Sequence, residues 1–411
     1  MCYAGEMPRF EPFAGLRYDA HAAPLADVIA PPYDVVSAGD RARLASRSPF
    51  NSILVELPEA DEAGGTDRYA TAAALLEKWE RDGAVRRDPS PSFYVYRMSF
   101  ESEDGSQRST TGVIGALALD QVGGSEVLPH ERTMPKPKGD RLDLLRACRA
   151  NLSPIWGLSL TEGLAKACVA ATGSAPAPMS AADEEGVVHE LWPVTDAATI
   201  ETIAALVAAT PVVIADGHHR YETAIFYRTE RQNANGGAPG AYDLVMALVV
   251  ELTADELVVQ AIHRLVSGLP DDFDPTVWLA ESFELLDGPA DPGELQAAMA
   301  GAGALGLVRP EGNLLLVPRP WVLESAEADL DSSRLDVALA ALPAHELAYQ
   351  HGSGLAAEAV ASGRAQLAFL LRPATVAQIA DTAHSGRRMP PKTTFFHPKP
   401  RTGMVFRPVP G

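Results

Sequence analysis

A β-branched run, Val212-Val-Ile-Ala215, gives way at Asp216-Gly217 to a polar segment whose apolar residues recur at helical spacing from Tyr221 to Glu230. That order calls for a strand, a tight turn and a helix, because a side-chain period of two and one of about 3.6 cannot share an element. A mixed α/β or α+β architecture follows. The same turn gathers Asp216, Gly217, His218, His219 and Arg220, so the strongest structural signal and the densest chemistry coincide.

The rest of the chain repeats the alternation. Ser52 to Leu57 and Phe93 to Phe100 read as strands, and Asp67 to Trp79 between them as a helix. Glu103-Asp-Gly105 reads as a turn into a strand from Thr110 to Leu119. Asp140 to Arg149 sets Leu142, Leu145 and Cys148 on one helical face, with a strand near Pro154 to Leu160 after it and a helix at Ile200 to Ala209. Val245 to Leu252 and Leu257 to Ile262 are expected to form a hairpin. The Pro- and Asp-rich Gly268 to Pro275 marks the expected boundary between an amino-terminal region, 1–267, and a carboxy-terminal α/β lobe, 276–411. That lobe has expected strands near Leu305 to Val308, Asn313 to Val317 and Gln366 to Leu371, and a helix at Arg334 to Leu342. Its terminal loop is a candidate to return to the site. At roughly 150 residues per domain, 411 residues suit such a division.

Composition narrows the function. Lys+Arg of 34 against Asp+Glu of 54 leaves a net charge of −20, so nucleic acid and anionic membrane are not expected as partners. The most apolar stretch, Tyr242 to Val250, stops at Glu251, Asp255 and Glu256, short of the roughly 20 residues a spanning helix needs. Early charges and no apolar run at the amino terminus argue against a signal peptide. Cys2, Cys148 and Cys168 have no paired spacing, which supports neither disulfides nor a thiolate zinc site. A cytoplasmic protein is expected.

Two constellations carry chemistry. In Ile214-Ala-Asp-Gly-His-His-Arg-Tyr-Glu222, helix-start N–H groups and cationic side chains converge, which is how an anion is held. Arg220 suits phosphate oxygens, His218 and His219 support it, Gly217 allows close approach, and Asp216 suits a divalent cation. The same string also suits Asp216 as a helix cap followed by a solvated first turn. Adjacent histidines do not give the i, i+4 pair of a zinc helix. In Pro129-His-Glu-Arg-Thr-Met-Pro-Lys-Pro-Lys-Gly-Asp-Arg141, prolines enforce a loop that carries His130, Glu131, Lys136, Lys138 and Arg141. Lysine is scarce, and Lys392 and Lys399 fall in a second proline-spaced loop, Pro390 to Lys399. Both loops read either as the lining of one anionic pocket or as solvated basic segments. Ile29-Ala-Pro-Pro-Tyr-Asp-Val35 is a rigid turn that either presents Tyr33 and Asp34 to a site or is structural.

Taken together, APPYDVV, HERTMPKPKGDRLDLL, NLSPI, ADGHHRYETA, IHRLV and MPPKTTFFHPKPRTGMVFRP resemble a conserved prokaryotic family, the domain-of-unknown-function family 1015, from residue 29 to the end. More distantly, His130-Glu131 followed by Asp216-Gly-His-His-Arg220 is similar to the free serine kinases of the ParB/sulfiredoxin-like superfamily. The resemblance implies an α+β fold with a ParB/sulfiredoxin-like nucleotide-binding core in a larger two-lobed chain. It implies that Glu131 acts on an acceptor hydroxyl, with His130 beside it, and that the DGHHR turn binds nucleotide phosphates. Where sulfiredoxins carry a catalytic cysteine before the His-Arg of this turn, the chain has His218, so sulfur chemistry lacks its nucleophile.

The expected function is therefore a small-molecule kinase using ATP or ADP with Mg²⁺, free L-serine standing first among hydroxyl acceptors. A non-catalytic nucleotide sensor with the same pocket is the alternative. A metal-dependent phosphohydrolase would need more carboxylates than Asp216 and Asp34 supply.

Overall fold

The computed structural model describes residues 7–60, 67–102, 105–120, 124–129, 139–270, 272–385 and 388–410. Described residues up to Leu257, with those from Pro398 onward, form one unit, and Val258–His397 form a second. The loop at Gly268 to Pro275 thus lies inside the second unit.

The first unit is built on a nine-stranded mixed sheet. Its strands run, edge to edge, Val127–Pro129, Val212–Asp216, Ile155–Ser159, Leu244–Glu251, Gln107–Ala118, Phe93–Glu101, Val188–Val194 and Met179–Ala182, while Phe10–Glu11 also pairs with Gln107–Ala118. Leu244–Glu251 is buried at every position, as an apolar run must be when helices or sheet cover both faces. Its two edges are taken by Gln107–Ala118, antiparallel, and Ile155–Ser159, parallel. It therefore makes no hairpin with the strand that follows in sequence. That strand, Val258–Ser267, pairs instead with Glu346–His351, Leu367–Leu370 and Thr394–His397 in the second unit.

A second expectation also fails. Ser52 to Leu57 is not a strand but contains a short helix, Ile53–Glu56, whose first N–H donates to Asn51 Oδ1 at 2.9 Å. An apolar run this short fits a buried helix as well as a strand. Val55 joins a cluster with Leu16, Trp79, Leu144 and Phe406.

The helix His218–Ala234 begins where strand Val212–Asp216 ends. Its Tyr221 and Ala224 pack with Ile155, Ile214 and Val249 in the main core. Ile155, Ile214 and Val249 each contribute about 1.5–3 kcal/mol by leaving water. Polar anchors add direction: the Arg228 guanidinium, buried, donates to the carbonyls of Leu119 and Asp120 at 2.7 and 2.8 Å, and the Asp120 N–H donates to the Tyr221 hydroxyl at 3.0 Å. The helix is thus tied to the residues that follow strand Gln107–Ala118.

The second unit has a seven-stranded sheet in the order Phe283–Asp287, Leu314–Pro318, Leu305–Val308, Leu367–Leu370, Val258–Ser267, Glu346–His351, with Thr394–His397 also paired to Val258–Ser267. Leu335 and Ala338 of helix Asp331–Leu339 pack with Phe283 and Phe369. Among the described residues no helix is long and apolar enough to cross a membrane.

Candidate functional site

The turn after strand Val212–Asp216 requires glycine. Gly217 sits at φ +86°, and a Cβ there would come within 3.1 Å of the Ile155 Cα and of Arg220 Nε. Its N–H donates to Asp216 Oδ1 at 2.7 Å, so the carboxylate is held at the strand end instead of capping the helix. The other oxygen, Oδ2, accepts from Lys399 Nζ at 2.5 Å, with side-chain exposures of 12% for the lysine and 19% for the acid. Burial favours the protonated acid, but Lys399 and Arg220 outweigh it and hold the Asp216 carboxyl well below the usual carboxylate range.

One turn on, Arg220 Nη1 donates to the Pro154 carbonyl. Its Nε is buried with no hydrogen-bond partner among the described residues. Burial disfavours the guanidinium charge, yet Asp216, Asp34, Tyr33 and Glu56 together keep Arg220 above its ordinary value. A permanent cation with an unspent donor sits where the helix presents its positive end. His218 and His219 lie in the same first turn, each half-buried.

A further group surrounds this turn within the first unit. Tyr33 and Asp34 begin a one-turn helix, Tyr33–Val35, and Asp34 is exposed. The Arg141 guanidinium lies 4.4 Å from the centre of the Tyr33 ring and donates to the Glu56 carbonyl and to Asp140 Oδ2, each at 2.8 Å. Arg141, expected as a phosphate ligand, is thereby engaged with its own protein. Glu56, 2% exposed, accepts from Ser153 Oγ at 3.1 Å through Oε1, while Oε2 is buried with no partner among the described residues. Burial pushes the Glu56 carboxyl up, and Arg141, Arg220 and the Ser153 hydrogen bond offset part of that. Burial likewise raises the Tyr33 phenol, against the pull of Arg220 and Arg141.

Of the residues singled out in the sequence, the structure brings Asp216, Gly217, Arg220 and Lys399 into one cluster and sets Tyr33, Asp34 and Arg141 in its electrostatic neighbourhood. Lys392 belongs to the second unit, at φ +59°, and its carbonyl accepts from Arg264 Nη1 at 2.9 Å. His130, Glu131, Lys136 and Lys138 fall outside the described residues. Glu56 and Ser153 were not anticipated, and the one clue was an acid inside an apolar run.

Phosphate would be met here by Arg220, Lys399 and the start of the helix. For Mg²⁺ the relevant acid is Asp216, and among the described residues no group of three or more His, Cys, Asp or Glu is poised to hold a metal. Nucleotide-bound Mg²⁺ commonly takes only one or two carboxylates, with phosphates and water supplying the rest, so a single Asp fits that pattern.

A family model described as Protein of unknown function (DUF1015) matches residues 10–338. No curated protein matches the chain significantly. Among solved structures, a free serine kinase in complex with AMP is similar at 14% identity and a TM-score of 0.38, covering 69% of this chain and 88% of that one. A conserved hypothetical protein from Pyrococcus furiosus is similar at 13% identity and 0.36, covering 68% and 90%. SbnI with a C-terminal truncation, from Staphylococcus aureus, is similar at 11% identity and 0.38, covering 71% and 86%. At these scores the likeness carries nothing about fold or function.

Proposed function

The chain belongs to the DUF1015 family, a grouping that assigns no activity, and on the geometry of its own site we propose that it is a small-molecule kinase taking ATP or ADP as phosphoryl donor. The observation that carries this reading is the convergence of Arg220 and Lys399 on the Asp216–Gly217 turn at the start of a helix, with Arg220 Nε buried and without a partner among the described residues. Phosphoryl transfer depends mainly on positioning and on neutralising phosphate charge, and such a turn supplies both. In this reading Arg220, with His218 and His219, binds donor phosphates, and Asp216 faces Mg²⁺. Bound Mg²⁺ would neutralise and orient the phosphates. Glu131, with His130 beside it, accepts the proton of the acceptor hydroxyl; its part rests on the resemblance of the HE and DGHHR strings to free serine kinases. Free L-serine is the first acceptor to try.

The test is binding followed by turnover. ADP or ATP with Mg²⁺ should raise the melting temperature, by an amount equivalent to about 2.7 kcal/mol at a hundredfold excess over Kd. Arg220→Ala should weaken nucleotide binding by roughly ten- to a hundredfold, the loss of one charge-assisted hydrogen-bond group of about 1.5–3 kcal/mol. Glu131→Gln should leave nucleotide affinity in place and slow formation of phosphoserine by roughly 10² to 10⁴. No nucleotide binding by the wild-type chain ends the reading. Binding without transfer to serine or related hydroxyl compounds turns it into a nucleotide sensor.

A further inference from the structure

Lys399 reaches Asp216 across 183 residues of sequence, from the terminal segment that packs with the first unit. That segment does not depend on Lys399 for attachment. Thr402 and Ala30 exchange backbone hydrogen bonds at 2.8 and 3.1 Å, Phe406 and Leu16 do the same at 2.9 and 2.8 Å, and Arg401 Nε donates to Asp183 at 2.8 Å. The backbone of the segment is thus secured independently of the Lys399 ammonium. The ammonium lies on the acid of the turn that also carries Arg220.

We propose that Lys399 is a phosphate-binding residue of this site, an inference that rests on the nucleotide reading above. Its ammonium compensates the buried Asp216 carboxylate, beside Arg220 and the Gly217 N–H. Gly217 keeps hold of Oδ1, so the carboxylate remains in place when the lysine turns away. A lysine suits this exchange because its charge rides on four flexible methylenes and offers three donors without a fixed plane. When a nucleoside diphosphate enters, the ammonium passes to phosphate oxygens and leaves Asp216 Oδ2 open toward the cation that accompanies them. No bond is made or broken; one ion pair is traded for another.

The experiment uses the full chain, with ADP plus Mg²⁺ as the probe, and measures affinity by calorimetry over a series of salt concentrations. Lys399→Met should bind roughly ten- to a hundredfold more weakly and with a shallower dependence on salt, since one charge contact with the phosphates is gone. Lys399→Arg, which keeps the charge, should recover most of the affinity and all of the salt dependence. The melting temperature of each ligand-free variant is recorded beside it. A Lys399→Met chain with wild-type affinity and salt dependence overturns the proposal while leaving the nucleotide reading intact. So does one whose ligand-free melting temperature falls while affinity of the folded protein holds, because that is the signature of a tether. A wild-type chain that fails to bind ADP overturns the nucleotide reading and this inference with it.

Discussion

Gly217 and Gly83 offer a matched pair for testing how tightly the DGHHR turn is held. Both lie in the first unit, at φ +86° and +79°. An alanine at either pays the left-handed penalty of about 1–2 kcal/mol. At Gly83 a Cβ meets nothing within 4 Å, so the cost should stop there. At Gly217 the Cβ would sit 3.1 Å from the Ile155 Cα and 3.1 and 3.2 Å from Arg220 Nε and Cζ. Arg220 can yield, but Ile155 is fully buried in a central strand and its backbone cannot. Overpacking of that kind adds about 1–3 kcal/mol. Gly217→Ala should therefore lose about 2–5 kcal/mol against about 1–2 for Gly83→Ala, read from urea unfolding with the m-values compared to wild type. Because the displaced atoms belong to Arg220, ADP affinity should fall in Gly217→Ala and stay unchanged in Gly83→Ala. Equal destabilisation by the two substitutions would refute the close approach of the turn to Ile155 and the need for glycine drawn from it.

Two further outcomes follow from buried charge. Asp183, with 7% side-chain exposure, joins His189 at 2.8 Å and Arg401, which is 6% exposed, so Asp183→Asn should cost about 3–5 kcal/mol in urea unfolding by leaving the guanidinium without its main partner. Burial works against the Asp183 charge, but His189 and Arg401 hold its carboxyl below the ordinary range; the stability it supplies is complete at neutral pH and fades as pH falls through and below that range, and the Asn variant should lack this acid-side loss. Glu56 has the opposite sign: burial raises its carboxyl, so the native state holds the proton more tightly and stability declines as pH climbs from the ordinary carboxyl value toward the raised one. Glu56→Gln should therefore gain on wild type as pH rises above the ordinary carboxyl value in paired unfolding curves, and a constant difference across that rise would contradict the assignment.

The strand, turn and helix around Gly217 were legible because three local signals agreed: a β-branched run, a glycine where a tight turn was needed, and apolar residues at helical spacing after it. Where one local signal stood alone it misled. Ser52 to Leu57 is apolar enough for a strand, yet it contains a short helix whose Ile53 N–H donates to Asn51 Oδ1. Leu244–Glu251 and Val258–Ser267 are adjacent in sequence and each is a strand, but both edges of the first are filled by partners far away in the chain, a long-range fact that spacing cannot show. Glu56 carried no motif. Its importance comes from burial beside Arg141 and Ser153, which depends on a helix that the sequence hid. Lys399 and Asp216 were each visible as candidates, whereas their pairing needed the terminal segment to be laid along the first unit by Ala30, Leu16 and Asp183.

Charge balance explains why the site has to work at short range. The whole chain carries −20, so its distant field repels a nucleotide and cannot steer one in. Among the described residues of the cluster, Asp34, Glu56, Asp140 and Asp216 stand against Arg141, Arg220 and Lys399, and Arg141 is committed to Glu56, Asp140 and the Tyr33 ring. Among the described residues of this cluster, Arg220, whose Nε has no partner among them, and Lys399 are the guanidinium and ammonium at the turn itself. In salt at physiological strength charges farther than about 8 Å are screened, so an anion at this turn is met by the charges beside it and not by the distant field. A lysine set against this acid keeps the buried carboxylate compensated, and in the proposed bound state the acid is freed where a cation-bearing phosphate would need it.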